Sequence, residues 1–442
     1  MTQNAATAPV DAQTFDSTRL FGKIAMPGAL RIAPFRQIWA ALLLIHLSRW
    51  VEITVVGWVI VEATGSPFLV SLGVFVRLAP FFVAGPIGGA MADRVNQVWF
   101  IRVTTMGRVA IAVLLSLALF AFGSNLWAIY TLTAIGGVFA SAVIPALRAL
   151  YADLVPEREL TGALGFESIA FTLSLIIGPI IAGVLLPFVA APVMFMGTAV
   201  AYSLAVAAMF FVRSSVADTA KEAKEAQDDD SVQSTRPGLF ESIADGFRVA
   251  RSRPMIIAAF AVIVTAEGFA FTFLHLIPIF ATDVLGGGST TLGMLWSMQG
   301  AGELVGAMVI VGWLGKRINS PGKALLIAVS ICMILGIPLG LSSTLPLTMF
   351  MLFSLGVSAS MFGVMQSNVI LLSAPAKVRG RLIGIQTMFL IGFPISAVVV
   401  GSIASVFGPH VAVVTMSTTG LLSIGVVALK FPQLRQRMVS AE

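Results

Sequence analysis

Charge is scarce in this chain, and that scarcity decides its class. Asp, Glu, Lys and Arg make up 11% of the 442 residues against 57% hydrophobic residues, and mean hydropathy is +0.96. A soluble globular chain carries roughly a quarter charged residues, so these side chains cannot cover a water-facing surface. Cysteine is scarcer still. Cys332 stands alone in an apolar run, which excludes a disulfide framework and a thiolate metal site. Three unclustered histidines argue against structural zinc, and no metal or cofactor is expected. A phosphate-binding Gly-Lys-Ser/Thr loop and a Ser–His–Asp arrangement are also missing, so no enzyme is expected. The net charge of +6 comes from basic residues scattered between apolar runs rather than gathered with aromatics, so no nucleic-acid partner is expected. The first 34 residues hold no apolar stretch ending in small residues, and no cleaved signal is expected.

What is present is a series of apolar runs bounded by Gly, Pro or charge. They lie near 35–62, 68–92, 98–122, 126–150, 163–186, 191–213, 254–282, 290–315, 322–341, 346–372, 381–406 and 410–430. Each reaches or exceeds the ~20 residues that span a bilayer. Backbone groups in hydrocarbon must be satisfied internally, and unbroken rather than alternating runs select helices over a barrel. The expected class is an all-α integral membrane protein with twelve transmembrane helices. Five regions follow: a cytoplasmic arm (1–34), a six-helix bundle (35–213), a linker (214–253), a second bundle (254–430) and a tail (431–442). The linker opens with a solvated stretch holding Lys221, Glu222, Lys224, Glu225 and Asp228 to Asp230. From Leu239 to Val249, Leu239, Phe240, Ile243 and Phe247 share one helical face, the pattern of an amphipathic helix on the membrane, with a plain tether as the alternative.

Lys and Arg set the orientation. The junctions 63–67, 123–125, 187–190, 283–289, 342–345 and 407–409 contain neither. The intervening junctions hold Arg94, Arg158, the 214–253 segment, Lys316, Arg317, Lys323, Lys377 and Arg379. Both termini are therefore expected in the cytoplasm. The halves echo each other. Gly89-Ala-Met-Ala-Asp93-Arg94 is matched by Gly312-Trp-Leu-Gly-Lys316-Arg317, and Pro156 with Gly165 by Pro375 with Gly384. Two parallel halves related about the membrane normal place a binding site between them near mid-depth.

These residues carry a resemblance. The chain resembles the major facilitator superfamily, in its branch of bacterial drug and siderophore exporters, from Phe35 to Lys430. Three stretches bear it: Gly89 to Arg94, Ala146 to Glu157 through Arg148 and Asp153, and Gly178-Pro179-Ile-Ile-Ala-Gly183, which is similar to an antiporter motif. The resemblance implies a monomeric secondary transporter of the bacterial inner membrane. It also implies a cytoplasmic latch at Asp93 and Arg94, although Asn96, Gln97 and Val98 stand where Gly and basic residues are usual. With them, Arg108, Arg148 and Glu167 are expected to form a gate network at the cytoplasmic face.

Ionisable residues inside spans are costly and mark functional sites. Arg49 and Glu52 are spaced i,i+3 on the first run, with His46 one turn earlier. Arg77 lies roughly 13 Å along the second run at the helical rise; Glu267 and Glu303 fall near the middle of the seventh and eighth. The resemblance implies that these groups meet in a central cavity. There Glu267, Glu303 or Glu52 is expected to carry a proton, because two arginines against three carboxylates leave one in excess in a low-dielectric cavity. Arg49 and Arg77, with His46, Gln299, Gln366 and Asn368, are the expected substrate-binding residues. The plainer alternative makes Arg49–Glu52 and Arg77–Glu303 fixed structural pairs. Two transport readings follow: proton-coupled export of an amphipathic small molecule, or import or facilitated passage of an organic anion.

Overall fold

The computed structural model describes residues 28–92, 95–210, 248–310, 318, 320–374 and 379–436. Among them every regular element is helical. The first half consists of α1 (Ala33–Thr64), α2 (Pro67–Ala92), α3 (Gln97–Phe122), α4 (Leu126–Leu154), α5 (Glu157–Leu185) and α6 (Ala191–Phe210). The second half opens with α7, which is helical over Pro254–Thr265 and runs on irregularly to Val284. It continues with α8 (Ser289–Val309), α9 (Pro321–Gly340), α10 (Leu345–Ser373), α11 (Arg379–Phe389 and Gly392–Phe407) and α12 (Pro409–Lys430). Ten of these helices are long and apolar enough to cross a membrane. The other two are α2, whose apolar stretch is Pro67–Phe82, and α8, which carries Gln299 and Glu303.

Local chemistry fixes the helix ends. Asn96 Oδ1 accepts from the Trp99 N–H at 3.0 Å to open α3, and Asn125 Oδ1 accepts from Ala128 at 3.3 Å to open α4. Proline occupies the first turn of α1, α7, α9, α10 and α12, where its missing N–H has no intrahelical partner to lose. Gly65 closes α1 at φ 57°, a left-handed cap whose N–H reaches the Val61 carbonyl at 2.8 Å.

Inside each half, small residues and polar caps let helices approach closely. Gly137 of α4 lies against α2 so tightly that an added Cβ would stand 2.3 Å from the Arg77 carbonyl oxygen. The Tyr130 hydroxyl ties α4 to the Leu69 carbonyl of α2 at 2.8 Å. In the second half, a Cβ on Gly302 would stand 2.0 Å from the Phe353 carbonyl oxygen, which fixes α8 on α10. Lipid-facing surface is apolar: Phe120, Trp127 and Phe188 stand 81%, 84% and 85% exposed.

The principal contacts between the halves run from mid-depth to one end, the end that bears the α1–α2 and α7–α8 connections. It is called the outer end here, following the basic-residue count. On one side α5 crosses α8, where Gly183 faces Gly293 and Ser289; on the other, Gly401 of α11 meets Ser71 and Phe68 of α2. Gly57 of α1 meets Pro278 of α7 between them. The outer end is closed. The amphipathic segment expected from Leu239 lies outside the described residues up to Phe247, as do Asp93, Arg94, Gly312 to Arg317 and Pro375.

Candidate functional site

At mid-depth in the first half, Glu52 of α1 gathers three partners from three other helices. Arg77 of α2 reaches its Oε1 at 3.2 Å, and Arg108 of α3 approaches Oε2 at 3.6 Å. The Tyr202 hydroxyl of α6 donates to Oε2 at 3.1 Å. Arg108 also donates to that hydroxyl and lies 4.3 Å from the Tyr202 ring centroid. The α2–α4 contact at Gly137 places Arg77, and Glu52 and Arg108 are 6% and 5% exposed. Arg108 was expected at the cytoplasmic gate; instead it points into this cluster. It stands eleven residues beyond Gln97, roughly 16 Å along α3 at the helical rise, so the distance from the helix end already favoured mid-depth.

A second group on α1 has no such partners. Among the described residues, no carboxylate lies within salt-bridge distance of Arg49, whose Nε is buried without a hydrogen bond. Both ring nitrogens of His46 and the indole Nε1 of Trp50 are likewise buried and unpartnered. Phe171 of α5 stacks edge-on against both, with ring centroids 5.5 Å from His46 and 6.0 Å from Trp50. Trp50 then meets Trp296 of α8 at 5.6 Å, one of the contacts that joins the halves.

The second half presents acceptors. Glu303 of α8 takes a hydrogen bond from Gln299 Nε2 at 3.3 Å, while Gln299 Oε1 and Gln366 Oε1 are buried and unpartnered. Asn368 is half-buried on α10. Glu267 is 8% exposed and sits on a π-turn, Ala266–Ala270, where α7 leaves regular helix; such turns recur at functional sites. Among the described residues, neither Glu267 nor Glu303 has a cation within 4.0 Å. The expected meeting of all five charges therefore does not occur as ion pairs. Arg77 goes to Glu52 rather than Glu303, and Arg49 does not pair with Glu52. Among the described mid-depth groups, the arginines and Glu52 lie in the first half, and Glu267 and Glu303, without a cation in reach, lie in the second.

Of the expected gate, Asp93 and Arg94 lie outside the described residues, and the side chain of Arg148 is likewise undescribed, as is Gly89 beyond its place in α2. Glu167 is half-buried and close enough to Tyr151 to act on it electrostatically. The Gly178, Pro179 and Gly183 stretch has a clear structural setting. Gly178 abuts Trp50 and Leu47 of α1, and a Cβ on Gly293 would stand 2.4 Å from the Pro179 carbonyl oxygen. Ser289 and Thr290 of α8 donate to the Gly183 carbonyl at 3.2 and 3.1 Å, and Ser297 to that of Ile176 at 2.8 Å. Between Arg77 and His275 a cavity of about 40 Å³ remains, bordered by Gly57, Gly73, Pro278 and Trp296. That admits a water or two, whereas a drug-sized molecule needs roughly 300–1,000 Å³. His275 itself meets the Ser396 hydroxyl at 3.2 Å and stacks on Phe393.

Sequence reasoning missed Tyr202, Trp50, Phe171 and Trp296. A tyrosine within an apolar run was the available signal for Tyr202, since the chain has three. The aromatic residues gave none, because tryptophan and phenylalanine are ordinary in lipid-facing helices.

Comparisons with known proteins agree with this architecture. The model of the Major Facilitator Superfamily matches residues 38–390. The chain is 22% identical to the Staphyloferrin A transporter of Staphylococcus aureus over 276 residues, 62% of this chain and 66% of that relative. It is 24% identical to Macrolide efflux protein A of Streptococcus pyogenes, covering 72% and 75% of the two chains. It is 26% identical to Multidrug resistance protein MdtG of Proteus mirabilis, covering 68% and 70%. Among solved structures it shares its fold with a POT family transporter at TM-score 0.71 and 12% identity, covering 91% and 96% of the two chains. A bacterial homologue of the lysosomal transporter Spinster, in an inward-facing form, matches at TM-score 0.67 and 13% identity, covering 92% and 99%. With the family model matched over most of its length, this multi-pass membrane protein belongs to the Major Facilitator Superfamily of transporters.

Proposed function

We propose that the chain is a proton-coupled exporter of an amphipathic small molecule, working by alternating access in the bacterial inner membrane with both termini cytoplasmic. The observation that carries this reading is the pair of carboxyl groups, Glu267 and Glu303, held at mid-depth without a cation among the described residues. For a carboxyl out of water, the proton is the counter-charge that can both arrive and leave. Glu52, expected as a third carrier, is held by Arg77, Arg108 and Tyr202 and serves as an anchor in this reading. The closed outer end corresponds to the state that takes cargo from the cytoplasm. Relatives named for efflux and for siderophore transport support export of a small molecule.

The test uses purified protein in liposomes with an imposed pH gradient. Cargo-driven proton flux is expected in the wild type and lost in Glu303→Gln or Glu267→Gln, with Glu52→Asp retaining it. Cargo movement indifferent to the gradient would overturn coupling. That outcome would favour the second reading, facilitated passage or import of an organic anion, which the unpaired Arg49 supports.

A further inference from the structure

Three residues on one surface of α1 share a condition. His46, Arg49 and Trp50 are related by i,i+3 and i,i+4 spacing, so their side chains are neighbours on the helix. His46 is 6% exposed and neither of its ring nitrogens has a partner. Arg49 Nε and Trp50 Nε1 are buried and unpartnered too. Guanidinium and indole nitrogens can only donate, and imidazole carries at least one N–H. A polar group left unpaired away from water is destabilising by roughly 1–3 kcal/mol, and more when it is charged. At least three of these four atoms are donors, and together, on a helix otherwise well packed, those donors point to a missing acceptor.

Nothing within the described residues supplies that acceptor. The nearest carboxylate on α1, Glu52, is occupied by Arg77, Arg108 and Tyr202. A further cation is disfavoured there, because Arg77 and Arg108 act on Arg49 more strongly than Glu52 and Tyr202 do. An oxyanion suits the site because a guanidinium fork pairs with carboxylate, sulfonate or phosphate through two parallel hydrogen bonds. Phe171, Trp50 and Trp296 form an aromatic wall beside it. Across that wall, α8 carries Trp296, Gln299 and Glu303 on adjacent turns, with Gln299 Oε1 unpartnered. The first half thus offers donors and the second half acceptors.

We infer that His46, Arg49 and Trp50 form an oxyanion receptor, and that the cargo is an amphoteric molecule. Its carboxylate, sulfonate or phosphate docks on Arg49, its flat apolar body lies along Trp50 and Trp296, and a hydrogen-bond-donating or cationic group faces Gln299 and Glu303. The inference rests on the transport reading only for calling the ligand a cargo. Arg77 and Arg108, which the Glu52 anchor neutralises in part, hold the receptor's floor and do not receive the anion.

The experiment reads thermal unfolding of the full-length protein in detergent, with no gradient and no flux. The probes are inorganic sulfate, naphthalenesulfonate and the uncharged naphthalenesulfonamide. Stabilisation by sulfate is expected, with a larger rise from naphthalenesulfonate and none from the sulfonamide. In Arg49→Gln the affinity for both anions is expected to fall roughly tenfold or more. Without ligand, Arg49→Gln is expected to unfold no lower than the wild type, because it removes a charge that has no partner. Arg49→Lys keeps the charge and loses the fork, and is expected to retain a weakened sulfate response. An Arg49→Gln protein that fails to fold, or that keeps the anion response, would overturn the receptor. So would a wild type that responds equally to sulfonate and sulfonamide. No cargo-driven proton flux in the wild type, with these shifts intact, would sink coupling alone.

Discussion

A buried carboxylate's character depends on who reaches it. Glu52 is bound from α2, α3 and α6, while Arg49, three residues away on the same helix, has no acid within salt-bridge distance among the described residues. Removing one partner of a buried pair strands the other charge and typically destabilises by about 3–5 kcal/mol. Arg77→Gln is therefore expected to lower unfolding stability in detergent by about that amount. Tyr202→Phe, which deletes the hydrogen bond to Glu52 and the one from Arg108, is expected to lower it by roughly 1.5–3 kcal/mol for each bond to a charged group. Equal stability of Arg77→Gln and wild type, read from chemical or thermal unfolding, would remove the anchor from the account. The cluster's existence was legible in the sequence, because charges in apolar runs announce themselves. Its pairing was not. The i,i+3 spacing of Arg49 and Glu52 suggested a pair, but Glu52 is taken by Arg77, Arg108 and Tyr202, and spacing along one helix cannot rank partners from three others.

At the scale of elements, the α5–α8 crossing shows what the Gly178-Pro179 stretch does mechanically. Gly183 and Gly293 let two backbones touch, and Ser289, Thr290 and Ser297 donate across the seam to carbonyls flanking the donor that Pro179 lacks. A side chain on Gly293 cannot fit 2.4 Å from the Pro179 carbonyl. Gly293→Val is expected to hold the outer end open. Spin labels at Phe188→Cys and Leu341→Cys in a Cys332→Ser background should report a longer separation than in the parent. Gly197→Ala, which has nothing within 4 Å of an added Cβ, should leave the distance unchanged. An unchanged distance in Gly293→Val would show that the seam is not the closure. The break in α7 was less legible. Residues 254–282 read as one apolar run, although Gly268 and Pro278 stood inside it. The π-turn at Ala266–Ala270 carries Glu267, buried against Gly392 of α11, and a single-residue widening leaves no trace in hydropathy.

For the whole molecule, composition decided most of the fold. Lipid forbids unsatisfied backbone, so long apolar runs leave little choice beyond a helical bundle, and basic-residue bookkeeping orders its loops. What sequence could not display is the division of charge between halves, because that depends on which face of each helix turns inward. The division is the centre of the account: among the described residues the first half anchors Glu52 and leaves buried donors unpartnered, and the second half holds Glu267 and Glu303 without a cation in reach, the pair proposed to carry the proton. Infrared difference spectroscopy of the protein in lipid, through a pH jump, observes carboxyl protonation directly. A protonated-carboxyl band is expected in the wild type, reduced in Glu267→Gln and in Glu303→Gln, and unchanged in Glu52→Gln. A band that survives both of the first two substitutions and disappears in Glu52→Gln would contradict the assignment of the proton to the second half.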